Sequence, residues 1–366
     1  VDLEHGRLIA SRDPSGVRPL YWSGLPSGGV ALATDVRLLL ALPEVEVSLD
    51  EIVVGEYLFG RFEDRRRTFF ERVRRVVPGH CLRCEGGEIR QRRWWWVDPG
   101  RQREVRSRAE LIEGFRERLR RAVRLRLASS GASALELSGG LDSSGLALIA
   151  GEAARRRELP GPVALSALFP GLSCDEGPYS DAVARAAGLE RRTFEPGVPD
   201  VDAGLDRELD SISTPLASLQ RTMEDGALDR AAELGASRLI SGIGGDELLH
   251  EEAYFTALVR HGQFLRLARE VGPAAHRSWF SSGQLAWWAL RAGAPGSAKA
   301  VARRLRRRRR WQPPAWASAE FVERFGGFPE VPVEVPAFPS ESQRTTWRYL
   351  EHPQVLWVLE VHQLRA

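Results

Sequence analysis

Apolar positions along the chain follow two rhythms. Between residues 7 and 95 they alternate with polar ones in short runs broken by glycine and proline. The runs are RLIASRDPSGVRPLYW (Arg7 to Trp22), then ALATDVRLLLALPEV, then VRRVVPGHCLRCEGGEIRQRRWW. A two-residue period bounded by turn residues predicts antiparallel strands with one buried face. Further on the rhythm changes. Ala134 to Leu137 is a short apolar run, followed by a helix expected to reach about Arg156 with Leu146, Ile149, Ala150 and Ala153 on one face. VALSALF and the residues after it read as strand, loop and amphipathic helix, the helix spanning Tyr179 to Ala187. STPLASLQRTMEDGALDRAAELGASRLIS reads as a helix leading into a further strand. Strands joined by crossover helices predict a parallel sheet. The fold class is therefore α/β: a partial antiparallel β-rich domain over 1–104, then a parallel-sheet domain with a helical C-terminal part over 105–366.

Composition fits this division. At 366 residues and 43% hydrophobic, the chain can bury two cores. A net charge of +3 with 28% charged residues gives no general polarity for binding nucleic acid. The Arg303 to Arg310 cluster is the one local basic run, and Trp311, Pro313, Pro314 and Trp316 mark it as a helix end entering a proline-stiffened connection. No apolar run approaches the ~18 to 20 residues that span a bilayer. Three cysteines suit a reducing compartment, so a cytoplasmic protein without membrane or nucleic-acid partners is expected. Cys81 and Cys84 have C-x-x-C spacing beside His80, but no second pair completes a zinc site, and a hairpin strand is the better reading.

The chemistry is concentrated in SGGLDSS, Ser138 to Ser144, where a strand passes into a helix. Gly139 and Gly140 allow a tight turn that brings backbone N–H groups close to an anion. Ser143 and Ser144 add hydroxyls where the following helix presents its orphan N–H groups and positive dipole end. Asp142 would repel a phosphate unless a divalent cation joined them, which points to a magnesium ligand. The loop lacks the lysine of G-x-x-x-x-G-K-[ST]. RLISGIGGDE, Arg238 to Glu247, repeats the plan of strand, glycine turn and acidic pair. Two such turns at strand ends of an open sheet could face one nucleotide from two sides, with Asp246 either a second magnesium ligand or simply a helix N-cap.

These paired motifs resemble those of the asparagine synthetase family of ATP-pyrophosphatase amide ligases, which includes lasso-peptide cyclases and β-lactam synthetases. The resemblance implies that Ser138, Gly139, Gly140, Ser143 and Ser144 hold the pyrophosphate part of ATP and that Asp142 and Asp246 coordinate Mg2+. It further implies that Leu137, Phe169, Ser241 and Gly242 border the adenosine. Residues 7–95 are similar to the later half of the family's glutaminase domain. The family's cysteine nucleophile has no counterpart in a chain opening at Val1, so a fragment truncated at its amino end, and also at its carboxyl end, is expected. Lys299 is the sole lysine, and it does not fall in a segment resembling the family's catalytic-lysine motif.

The implied reaction is attack of a carboxylate on the α-phosphorus, loss of pyrophosphate, and capture of the acyl-adenylate by an amine. Asp142, Asp246 and Glu247 are the catalytic candidates. Ile243 stands where asparagine synthetases have a polar residue and β-lactam synthetases a tyrosine, and it can transfer no proton. Glu247, His250, Glu251 and Glu252 are the substitutes nearby. The implied partners are an aspartate-like carboxylate with glutamine or ammonia as amine donor, or a precursor peptide if the chain is a macrolactam cyclase, and a homodimer is compatible with either. An inactive scaffold is the alternative from another class. Asp175 and Glu176 read as capping groups for the Tyr179 to Ala187 helix, and Thr214 and Pro215 as part of a substrate-side loop.

Overall fold

A computed structural model describes residues 1–2, 4, 6–58, 64–96, 98, 107–128, 131–196, 221–245, 251–275, 281–293 and 317–325. Asp246, Glu247, His250, Thr214, Pro215, Lys299 and the Arg303 to Arg310 cluster lie outside them, as do the side chains of Glu251 and Glu252. The chain divides into two compact units. One comprises Val1–Gln102 with Glu247–Leu364, and the other is centred on Arg103–Asp246.

In the first unit the predicted alternation becomes two antiparallel sheets. Strands β1 (Arg7–Ser11), β5 (His80–Glu85) and β6 (Glu88–Arg93) form one, in the order β1-β5-β6. Strands β2 (Tyr21–Gly24), β3 (Val30–Ala33) and β4 (Arg74–Arg75) form the other, in the order β3-β2-β4. Tyr21, Val45 and Val73 bury against Val36 and Leu39 of the short helix α1 (Val36–Leu40). The RDPSG segment organises itself. Asp13 accepts the N–H groups of Ser15, Val17 and Arg18, while buried Arg12 donates to the carbonyls of Gly16, Arg18 and Val76. Cys81 and Cys84, three apart on β5, face opposite sides and pair with Arg92 and Ile89 across the hairpin. Among the described residues no cluster of three metal-ligating side chains occurs.

Buried Asp50 precedes helix α2 (Glu51–Leu58), receiving the Val53 N–H and the Arg67 Nε at 2.7 Å. Within the same unit, helices α7 (Glu251–Arg260), α8 (Phe264–Ala275) and α9 (Ser282–Gly293) close around Phe255, Leu258, Leu267, Val271 and Leu285. No helix among the described residues is long and apolar enough to cross a membrane.

His80 carries the pH dependence that can be read most directly from this unit. Its ring is buried with Nδ1 2.9 Å from the Pro78 carbonyl, and burial, reinforced by the charges of Arg93, Arg65 and Arg66, holds its pKa below 6.5. The unfolded chain therefore binds the proton more readily. The stabilisation is complete above the unfolded pKa and is lost as pH falls through that value towards the folded one. Melting between pH 7.5 and 5.5 should show a Tm decline that is shallower in His80→Gln. Parallel declines in the two proteins would rule out this group as the source.

The second unit holds the parallel sheet in the order β10-β7-β8-β9. Its strands are β7 (Ala132–Glu136), β8 (Val163–Ala167), β9 (Arg191–Phe194) and β10 (Ala236–Ile240). Helices α3 (Arg108–Leu127), α4 (Leu141–Arg155) and α5 (Gly177–Ala187) supply one apolar layer, and α6 (Arg221–Glu233) supplies the other. Leu135, Leu137, Ala164 and Ile240 meet Val123, Leu127, Ala147, Ala150 and Ala184. Ala134, Leu165 and Phe194 meet Ala227 and Ala231. Alternation along each strand thus serves two covered faces, as parallel sheets require. The strand begins two residues earlier than the apolar run suggests, because Ala132 already pairs with Ala236. Helix α5 also starts early, at Gly177: Pro178 is suited to a first turn, and Asp175 Oδ1 accepts the Gly177 N–H.

Candidate functional site

The site forms where β7 and β10, neighbours in the sheet, end side by side. Leu137 leaves β7 with its N–H bound to the Leu165 carbonyl and its own carbonyl accepting the Ser166 hydroxyl at 2.7 Å. The chain then turns at Gly139, whose φ of +98° favours glycine. A Cβ at Gly139 would lie 2.7 Å from the Ser180 nitrogen and from Tyr179 Cβ, so the loop sits directly on the start of α5.

Inside the loop, Ser143 is buried and its hydroxyl closes the turn. It accepts from the Ser138 N–H at 3.3 Å and lies 3.0 Å from Ser138 Oγ, which in turn accepts the Gly140 N–H. Gly140 caps α4 without any side-chain acceptor, which leaves first-turn N–H groups available to an anion. The Ser144 hydroxyl is buried with no hydrogen-bond partner. A buried donor left unpaired is costly, and a bound phosphate oxygen would satisfy it.

The second turn closes from the other side. Ser241 accepts the Ile243 N–H, Gly242 accepts the Gly245 N–H at 3.1 Å, and Gly244 adopts a φ of +94°. A Cβ on Gly242 would stand 3.1 Å from the Ser143 nitrogen and 3.3 Å from Asp142 Cβ. One on Gly245 would overlap Asp142 Oδ2 and Cγ. Glycine at both positions lets the turn approach the Asp142 carboxylate. The donor set of glycine cradle, unpaired Ser144 hydroxyl and Asp142 carboxylate fits a magnesium-bound phosphate. Ile243, at the tip of the turn, is 54% exposed.

Phe169 follows β8 at the same end of the sheet, half-buried, its N–H held by Asp175 Oδ1 at 3.1 Å. The structure thus brings together Leu137 to Ser144, Phe169, Ser241 and Gly242, while Asp246 and Glu247 fall outside the described residues. Two side chains support the site: Asp175, expected as a capping group for α5, and Arg191, which the sequence did not single out. Asp175 ties the β8 loop to α5 through a single oxygen. Arg191 on β9 donates to Ser166 Oγ, to the Gly177 carbonyl and to Ser180 Oγ at 2.7 Å, fixing the helix end on which Gly139 rests. One of two adjacent arginines on an edge strand signals nothing by itself.

Comparison with known proteins places these motifs in context. The asparagine synthase family model matches residues 114–364, and the glutamine amidotransferase domain model matches residues 1–95. Among curated relatives, "Amidase chyE" of Penicillium rubens is 33% identical over 154 residues, which is 40% of this chain and 21% of that protein. "Amidase chry2" of Gibberella zeae is 34% identical over 154 residues, covering 40% of this chain and 22% of that protein. "Asparagine synthetase [glutamine-hydrolyzing] 3" of Bacillus subtilis is 26% identical over 151 residues, covering 41% and 24%. The chain thus spans less than a quarter of the length of these relatives.

Proposed function

The chain belongs to the asparagine synthase family, and on that premise we propose that it takes part in ATP-dependent amide-bond formation through a carboxylate adenylate. The observation that carries this reading is the meeting of the two glycine turns, with Gly242 and Gly245 packed on Asp142 at the N-terminus of α4. The N–H groups around Gly139 and Gly140, with the Ser144 hydroxyl, hold the pyrophosphate portion of ATP. Leu137, Phe169, Ser241 and Gly242 border its adenosine. Asp142 and Asp246 would hold Mg2+, which would supply neutralisation of the charge developing on departing pyrophosphate.

In the proposed reaction a substrate carboxylate oxygen forms a bond to the α-phosphorus as the bond to the bridging oxygen breaks and pyrophosphate leaves. An amine then adds to the activated carbonyl, AMP departs, and the amine's proton passes to a base. With Asp246 assigned to the metal, Glu247 is the next carboxylate in sequence for that proton. The match of residues 1–95 to a glutamine amidotransferase domain supports glutamine or ammonia as the amine donor, and the asparagine synthase match supports an aspartate-like carboxylate as acceptor.

A second reading, capture of a peptide carboxylate by the peptide's own amino terminus, is favoured by Ile243. An exposed apolar side chain beside the phosphate loop suits a peptide better than a free amino acid. The test is ATP–pyrophosphate exchange with aspartate, with glutamate and with peptides bearing internal Asp or Glu. Exchange stimulated by one of these carboxylates is expected, and the stimulating class selects between the readings. Its absence with all of them would overturn adenylation.

A further inference from the structure

The first unit contains a cavity that shares no residue with the phosphate loop. Between β2 and β4 of one sheet and β6 of the other lies a cavity of about 310 Å³, lined by Trp22, Asp64, Arg66, Arg67, Arg74 and Gln91. Its walls are rich in donors that nothing satisfies. Trp22 Nε1 and Gln91 Nε2 are both out of contact with solvent and have no acceptor. Arg74 Nη1 is also buried without a hydrogen bond; it stands 3.6 Å from Asp50 Oδ2, close enough for charge pairing only.

The carboxylates at hand are already engaged. Asp64 accepts the backbone N–H groups of Arg66 at 2.6 Å and Arg67 at 3.2 Å, and buried Asp50 takes the guanidinium Nε of Arg67 at 2.7 Å. Three guanidinium groups line the cavity with one carboxylate, Asp64, and Asp50 stands behind Arg67 and Arg74; indole and amide N–H donors are added. The excess is felt next door, where burial and then the charges of Arg93, Arg12 and Arg66 push the Arg65 pKa down to about 10.

We propose that this cavity binds a small oxyanion, the carboxylate or phosphate group of a metabolite. A ligand that is all acceptor would pair the orphaned Trp22, Gln91 and Arg74 donors at once and balance the surplus positive charge. Guanidinium groups are also the side chains best matched to planar or tetrahedral oxyanions. The volume lies at the small end of ligand pockets and suits a molecule the size of a dicarboxylic acid or a small phosphate ester. The site stands whether or not the chain forms adenylates, because none of its residues belongs to the phosphate loop or the Ser241 to Gly245 turn.

Isothermal titration of the 366-residue chain with inorganic phosphate, and separately with succinate, at constant ionic strength tests the proposal. Saturable binding of at least one anion at millimolar concentration or below is expected, and the tighter of the two identifies the headgroup. Loss of a charge-assisted or buried donor in Arg66→Gln or Gln91→Leu should weaken it by about tenfold or more. Arg66 is exposed, so its variant should keep the parental Tm even if Gln91→Leu does not. Arg83→Gln, at an exposed position of β5, should bind as the parent does. No saturable heat with either anion, unchanged affinity in Arg66→Gln, or an equal loss in Arg83→Gln would overturn it.

Discussion

Gly245→Ala should reduce ATP–pyrophosphate exchange by about 10² to 10³-fold, as far as losing a preorganised electrostatic group commonly does, while moving Tm very little. The added Cβ overlaps Asp142 Oδ2 and Cγ and falls 2.9 Å from Oδ1. These atoms end a short flexible side chain, so the clash is relieved by rotating the carboxylate and not by shifting backbone. Gly245 needs no left-handed φ, so alanine adds no backbone strain of its own. The fold survives and the carboxylate is misdirected. Asp142→Asn makes the complementary change, keeping the shape and removing the charge, and should lose a comparable factor. If Asp142 positions the metal, the double variant should lose scarcely more than either single one, since both disable one group. Full exchange in Gly245→Ala with a folded protein would mean that the orientation of Asp142 is immaterial to the chemistry. Independent, multiplicative losses would place the role of Gly245 elsewhere.

How much of this was legible in the sequence depended on whether the determinant was local. The Ser138 to Ser144 turn could be read because strand, glycines and helix start are contiguous, and each has its own signature. The approach of Ser241 to Gly245 was legible as an expectation only because a repeated strand-and-glycine plan suits one end of a parallel sheet; the contact of Gly245 with Asp142 needed the pairing of β10 with β7. Ser143 shows the limit well. Its hydroxyl could face a ligand or the loop, and only the fold shows it bound to Ser138 and Gly140. Arg191 and the arginine cavity lay beyond reach for a related reason. Arginine is abundant along this chain and mostly solvated, so nothing in its local context marks the few side chains that long-range pairing buries.

The largest expected effect on stability comes from a substitution that helix propensity alone would call favourable. Gly151 lies inside α4, where alanine ordinarily stabilises by about 0.5–1 kcal/mol. Here a Cβ would overlap the Ala187 carbonyl oxygen and stand 2.8 Å from its carbon and 3.0 Å from its Cα. Unlike the carboxylate at Gly245, these atoms are backbone and cannot rotate away. The same oxygen accepts from Arg155 Nη1 at 2.6 Å, and Gly188 ends α5 with a φ of +67°, so the end of the helix is fixed against α4. Making room means moving α5 as a body.

Overpacking of this kind commonly costs about 1–3 kcal/mol, and a backbone obstacle puts Gly151→Ala at the upper end, a Tm loss on the order of 8 °C. Gly145→Ala supplies the control. It lies on the same helix with open space around the new methyl, so it should be neutral or slightly stabilising. The opposite signs of the two variants would locate the effect in the α4–α5 contact; equal Tm values would show that the helices do not approach this closely. The consequence extends to function, because the start of α5 carries the Tyr179 and Ser180 atoms on which Gly139 rests. A displaced α5 should therefore weaken ATP binding even well below the melting transition, and Gly151→Ala should raise the apparent KM for ATP where Gly145→Ala leaves it unchanged.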